Sequence, residues 1–274
     1  MHMKVLFLGF TFIVCSVVIG CSERNQTSPE ITVKNVTKED QTLLVKQSLQ
    51  PKIMKTEIEH NTIQSSPPPI ASETKNDIVL LDVPIIKQNP ELKYGCEVTS
   101  LAMVLQYSGV KTDKMKLANE LPKDNDPMKK TASGDITHWG NPDQGFVGDI
   151  TGKSAGYAVY AGPLEKLMNQ YLKNRTINLT RKSFDEVLEQ IKKGKPVILW
   201  TTGDYKIPDR WESWKHGKEE INTPLDLHAV VLVGFDKEHL YINDPLTGKK
   251  ALKTKKASFL KSWKALGQQA LSYN

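Results

Sequence analysis

Apolar residues follow two different rhythms in the C-terminal two thirds of the chain. Val98, Leu101, Ala102 and Leu105 recur at i, i+3, i+4 and i+7, the stripe of a helix with one core-facing side. Gly95 stands before it as a flexible lead-in, and Gly109 after it as a C-terminal stop. A second helix is predicted over Thr112–Leu121, with Thr112 as N-cap and Pro122 as stop. Pro163 opens a third through Leu164, Leu167, Met168, Tyr171 and Leu172. Ser183-Phe-Asp-Glu186 is a capping box before Val187, Leu188 and Ile191, with Gly194 as terminator. Then the rhythm changes. Residues 196–202, 228–235, 240–243 and 249–252 read as strands, as does a β-rich entry over 78–86. Phe259, Leu260, Trp263 and Leu266 suggest a closing helix. Helices first and strands later predict an α+β domain rather than an alternating parallel sheet.

The N-terminal part obeys neither rhythm. A positive charge at Lys4 precedes Val5–Gly20, apolar apart from Thr11 and Ser16, and this reads as a secretory signal rather than a membrane span. It ends in Val18-Ile-Gly-Cys21, which resembles a bacterial lipobox. That resemblance implies cleavage before Cys21 and diacylglycerylation of its thiol; an ordinary signal peptide is the alternative. Two acyl chains are enough for stable anchoring, so the expected location is the extracytoplasmic face of a bacterial cell membrane. Residues 22–76 are polar, without aromatics and with Ser65-Ser-Pro-Pro-Pro69 near the end. Such a composition buries too little surface to offset its ordering entropy. The expected organisation is a signal over 1–21, a tether over 22–76 spanning on the order of 40 Å, and one domain over 77–274.

The net charge of +6 and pI near 9.0 are spread along the chain, without basic blocks interleaved with aromatics. Nucleic acid is therefore not an expected partner. His138, His216 and His239 have no metal-ligand spacing with each other or with Cys96, so neither a zinc site nor another cofactor is expected. A monomer acting on a peptide or cell-envelope substrate is. Residues 131–161, rich in glycine and punctuated by Trp139, Phe146, Tyr157 and Tyr160, read either as a groove wall or as a surface loop with packing aromatics. The 209–217 insertion reads as an exposed loop, with a lid as the alternative.

Of three cysteines, Cys15 lies in the signal and Cys21 is the lipidation candidate, which leaves Cys96 as the one thiol of the mature chain. A disulfide framework is excluded. Cys96 falls in the first helical turn, where free N–H groups and the macrodipole favour a thiolate, so a depressed thiol pKa is expected. Nucleophilic thiol chemistry also needs a base and a group that orients it. His228 begins the most apolar strand and Asp244 ends the next, so a hairpin brings imidazole and carboxylate to the same end of the sheet. Asp226, two residues before His228, is the alternative orienter.

Gly95-Cys-Glu-Val-Thr-Ser-Leu-Ala-Met-Val-Leu105, His228-Ala-Val-Val-Leu-Val-Gly234 and Tyr241-Ile-Asn-Asp-Pro245 resemble the C39-like cysteine peptidases. The resemblance covers about residues 81–263 and extends to Asn141-Pro-Asp-Gln-Gly-Phe-Val-Gly148. It implies a papain-like α+β fold, with the cysteine helix and further helices packed on a C-terminal antiparallel sheet. It also implies roles: Cys96 as nucleophile, His228 as base then acid, Asp244 as orienter and Gln88 as oxyanion donor. The chain lacks the transporter spans and phosphate-binding motif of the best-known members, so their double-glycine leader substrate does not carry over. Three functions follow: a peptidase or isopeptidase, an amidase or transferase on cell-wall peptides, and a catalytically retired peptide-binding lipoprotein.

Overall fold

The computed structural model describes residues 78–274. The expected signal, the lipidation site at Cys21 and the tether lie outside the described residues. In chain order the elements are β1 (Val79–Leu80), α1 (Cys96–Tyr107), α2 (Lys114–Glu120), β2 (Lys123–Asp124), β3 (Lys129–Lys130), β4 (Ile136–His138), β5 (Phe146–Val147), α3 (Ala161–Leu172), β6 (Thr176–Asn178), α4 (Phe184–Lys192), β7 (Val197–Thr202), β8 (Glu212–His216), β9 (Glu219–Thr223), β10 (Leu227–Phe235), β11 (His239–Asp244), β12 (Lys249–Lys255), α5 (Lys256–Ala265) and β13 (Ala270–Tyr273).

Two strands set the architecture because they are apolar at successive rather than alternate positions. Every residue of β7 is buried, as is every residue of β10 from His228 to Gly234. A strand of that kind needs cover on both faces. Ile198, Trp200, Ala229, Val231 and Leu271 pack with α1 and α3 on one face. Val197, Leu199, Val230, Leu232 and Ile242 pack with Val187 and Ile191 of α4 and Phe259 and Trp263 of α5 on the other. The sheet has seven strands in the order β12-β11-β10-β7-β13-β6, and β1 pairs with the far end of β10. Its pairs are antiparallel throughout. The α+β expectation therefore holds, with helices on both faces.

Several local expectations change. Asp113, not Thr112, caps α2, its Oδ1 accepting the Met115 and Lys116 N–H groups at 2.8 and 2.9 Å. Both residue types cap well, and the Thr112 carbonyl is already engaged by Gln106 Nε2 at 2.9 Å. Helix α3 starts two residues before Pro163, because Gln269 Oε1 accepts the Ala161 N–H at 2.8 Å and caps the helix from a distant segment. The capping box at Ser183 and Glu186 forms as expected.

The stretches read as loops over 131–161 and 209–217 instead supply β5, which pairs with β2, and β4 and β8, the central strands of a four-stranded sheet in the order β3-β4-β8-β9. Trp139, Tyr157 and Trp214 form its core, with ring centroids 5.5–6.2 Å apart. These three rings pack together, and Trp139 also lines a cleft with Asp124 and Asp149. The strands β6 and β13 had no clear sequence signal; β13 acquires partners only by inserting between β7 and β6. Among the described residues no helix is long and apolar enough to cross a membrane.

The entry segment is a strand only at Val79–Leu80; beyond it, Asn243 takes over. This fully buried side chain donates from Nδ2 to the carbonyls of Val83 and Pro84 at 3.0 and 3.2 Å and accepts the Ala251 N–H at 2.9 Å. Truncation would leave buried backbone groups unpaired, which is the expensive way to lose a hydrogen bond. Asn243→Ala is expected to lower stability by about 3 kcal/mol. Urea unfolding of wild type and variant checks this, and a change under 1 kcal/mol would contradict the role.

Candidate active site

Helix α1 starts at Cys96 and is buried from Cys96 to Leu105, including the polar Thr99 and Ser100 off the expected stripe. Gly95 is needed there for space rather than flexibility. Its φ of −103° is ordinary, but a Cβ would lie 2.5 Å from Leu92 Cβ. The helix is fixed to the central strand by Ser100 Oγ, which donates to Ala229 O at 3.2 Å. Cys96 lies one turn earlier on the same helix, and the Ala229 backbone acts to lower its pKa. The thiol end of α1 is thus held against the strand that carries His228.

The β10–β11 hairpin pairs Val231 with Asn243 and Leu232 with Ile242. Its open end brings His228 Nε2 to 2.8 Å from Asp244 Oδ1, with both residues buried. Asp244 Oδ1 also accepts the Leu246 N–H at 2.9 Å, and Oδ2 accepts Tyr205 and Thr247 hydroxyls at 2.8 and 2.6 Å. Burial works to raise the Asp244 pKa, but His228 and the two hydroxyls outweigh it and hold the carboxyl well below its usual range. A permanently ionised Asp244 bound to Nε2 favours the tautomer with its proton there, which leaves Nδ1 as the basic ring nitrogen.

Asp226 is exposed, precedes β10 and makes no side-chain bond to His228; its carbonyl accepts the Gly203 N–H at 3.0 Å. Geometry therefore separates the two carboxylates that sequence left open. Gln88 is buried, and Nε2 donates to Lys93 O at 2.8 Å while Oε1 has no partner. Its backbone N–H donates to Pro245 O at 2.9 Å, so Gln88 is tied to the loop that carries Asp244. The second amide hydrogen of Gln88 is the donor left for a ligand.

Sequence reasoning passed over Glu97. This wholly buried carboxyl accepts the Cys96 thiol at 3.3 Å on Oε2 and the Val159 N–H at 3.0 Å on Oε1. The expected thiol pKa is reversed, by burial first and by Glu97 second. Burial, followed by the charge of Glu97, pushes Cys96 well above the usual thiol range, while the Ala229 N–H works in the opposite direction. Burial likewise pushes Glu97 up to about 7. Tyr205 and Thr247 were also missed; only the turn residues around Thr247 and Gly248 gave a local signal. A cleft of about 290 Å³ bordered by Tyr160, Arg181, Trp211 and Gln269 lies elsewhere, and neither Cys96 nor His228 lines it.

This chain matches the model of the Peptidase_C39 like family over residues 80–271. It is 38% identical over 201 residues to the uncharacterized protein YvpB of Bacillus subtilis (strain 168), covering 73% of this chain and 77% of that one. It also resembles the crystal structure of a proposed C39-like peptidase from Bacillus anthracis, with a TM-score of 0.67 and 42% identity. That match covers 73% of this chain and 98% of the other.

Glu97 generates two expectations. Glu97→Gln keeps the shape, removes the charge beside the thiol and offers an N–H to a thiolate, so Cys96 alkylation should titrate about one pH unit lower. An unchanged alkylation profile would contradict the coupling. The same carboxyl has its folded pKa raised from 4.5 to about 7. The folded state therefore binds the proton more tightly than the unfolded one. Stability should be fullest below pH 4.5 and fall as pH rises to about 7, by a contribution of about 3 kcal/mol that Glu97→Gln abolishes. Urea unfolding at several pH values, wild type against variant, measures that difference.

Proposed function

The chain belongs to the Peptidase_C39 like family, and we propose that it is a thiol hydrolase that cleaves peptide or isopeptide bonds through Cys96, His228 and Asp244. The observation that carries this reading is the buried His228–Asp244 pair, 2.8 Å apart, on the strand against which the thiol at the start of α1 is packed. The corresponding fold reading is papain-like, with α1 as the nucleophile helix.

Asp244 holds the imidazole with its proton on Nε2, so Nδ1 accepts the proton of Cys96 as the sulfur attacks the scissile carbonyl. The C–S bond forms as the carbonyl π pair moves to oxygen, giving a tetrahedral oxyanion. Free N–H groups in the first turn of α1 and the unspent N–H of Gln88 stabilise that charge. His228 then protonates the departing amine, leaving a thioester. Water, deprotonated by His228, opens the thioester and returns the thiol. Leu225 and Leu246, both exposed beside the His228 and Asp244 segments, supply apolar contacts for substrate side chains. A lipid anchor at Cys21 holds the enzyme at the outer face of a bacterial membrane, within reach of envelope peptides. Amidase or transferase action on cell-wall peptides is the same chemistry with another acyl donor or acceptor.

The Cys96–Glu97 hydrogen bond favours a second reading, a peptide-binding lipoprotein whose thiol is no longer used. A thiol-directed peptide electrophile separates the two. An enzyme labels at Cys96, not in Cys96→Ala, and about 100-fold more slowly in His228→Ala. Asp244→Asn should slow labelling at least about tenfold, and Asp226→Asn should leave it unchanged. Equal labelling in wild type and His228→Ala would overturn the hydrolase reading. For the anchor, mass spectrometry of the membrane-extracted chain should find a diacylglyceryl group on Cys21 that is lost in Cys21→Ala. An unmodified N-terminus would remove the anchor from the proposal.

A further inference from the structure

Two histidines that are unrelated by spacing in sequence meet through a parallel strand pair. His138 ends β4 and His216 ends β8, and the two strands pair with His138 opposite Lys215. Both imidazoles therefore leave the sheet at one end, stacked 6.4 Å apart and 16° from parallel. Strand β2 ends at the same place with Asp124, and the following turn presents Asp126, whose N–H is held by Asp124 Oδ1 at 3.0 Å. His216 Nε2 lies 3.1 Å from Asp124 Oδ2 and 3.3 Å from Asp126 Oδ2. His138 Nε2 lies 3.4 Å from the same Asp126 oxygen. One donor atom each from Asp124, Asp126 and His216 falls within 4.8 Å of both others.

We propose that Asp124, Asp126 and His216 form a zinc site, separate from the thiol centre, with water completing the shell and His138 standing beside Asp126 as an outer partner. The distances carry the proposal. Zinc holds nitrogen and oxygen donors at roughly 2.0–2.1 Å in a tetrahedron, whose edges are then about 3.3–3.4 Å. Direct imidazolium–carboxylate bonds are shorter, about 2.7–2.9 Å, and the His228–Asp244 pair of this molecule is 2.8 Å. The His216 contacts at 3.1 and 3.3 Å match the edges of a coordination shell better than paired ions.

The surroundings agree. Asp124 Oδ2 is oriented by the Asn141 N–H at 3.0 Å, an outer-sphere bond of the kind that fixes a ligand. The preceding Gly140 leaves room for that carboxylate, since a Cβ there would lie 3.1 Å from the Asp124 carboxyl carbon. Two carboxylates neutralise a divalent ion, and an imidazole with two carboxylates suits zinc. The Asp124 and His216 side chains are 9% and 16% exposed, whereas Asp126 at 47% leaves a path for entry. Bound there, the ion would tie the β2 turn to the end of β8, at the edge of the aromatic core of the small sheet. The absence of metal-ligand spacing in sequence is thus overcome by strand pairing.

The test uses the full chain with its three cysteines replaced by serine, so that no thiolate competes, stripped with a chelator and titrated calorimetrically with zinc chloride. One equivalent is expected to bind, and cobalt substitution should give the intense visible bands of a tetrahedral centre without a thiolate charge-transfer band. Asp126→Asn and His216→Ala should each weaken zinc binding at least about tenfold, while His239→Ala should not. If His216→Ala fails to fold, Asp126→Asn, whose side chain is half exposed, decides. No saturable binding, or binding unchanged in Asp126→Asn, overturns the site.

Discussion

The candidate centre depends on a carboxylate kept ionised inside the protein. Asp244 is almost fully buried, and isolated charge in that setting costs several kcal/mol. Four donors offset the cost: the His228 ring, the Leu246 N–H and the hydroxyls of Tyr205 and Thr247. They come from β10, from the loop after β7 and from the turn after β11. The charge is therefore tolerable only when the hairpin is in register and the Tyr205 loop is closed over it. A one-residue slip would reverse the faces of β11 and strand a buried charge, so the electrostatics select the same register that the apolar faces require. The ordering of His228 follows from this arrangement.

A second buried carboxyl has the opposite surroundings. Glu97 has two polar contacts, a thiol and one backbone N–H, and burial dominates. Two carboxyls in one core are thus driven apart, Asp244 to permanent ionisation and Glu97 to about 7. The thiol sits between these influences. The helix dipole and Ala229 favour the thiolate; burial and an ionised Glu97 oppose it. In the proposed reaction the Cys96 proton turns from Glu97 toward Nδ1 of His228. Neutral Glu97 makes that transfer easier, since it no longer repels the developing sulfur anion.

Much of this centre was legible because the decisive residues lie on regular elements. Cys96 at a helix start, His228 at a strand start and Asp244 at a strand end are positions that periodicity fixes, and the hairpin does the rest. Glu97 escaped because it reads as an ordinary first-turn acid, which helix starts favour for other reasons. Only the packing of Val159 against α1 reveals that it is buried. The small sheet escaped for a related reason. Its strands are two to five residues long and its central pairing, β4 with β8, joins distant segments, so no window of sequence contains the whole sheet. The strand β13 is the same case in the main sheet.

Gln88 illustrates how dependent a residue can be when it belongs to no element. It lies beyond the short β1, and its position is set by a relay. Asn243 grips the carbonyls of Val83 and Pro84, and the Gln88 N–H reaches Pro245, so both anchors belong to the turn that carries Asp244. The chain between Gln88 and Cys96 is then closed by the Gln88–Lys93 bond and by Gly95 against Leu92. Asn243 points one way to hold the segment leading to Gln88, while its neighbour Asp244 points the other way to hold His228. Adjacent residues on a strand face opposite sides, and here that alternation assigns one position to each half of the centre. Disturbing the end of β11 should consequently impair both at once.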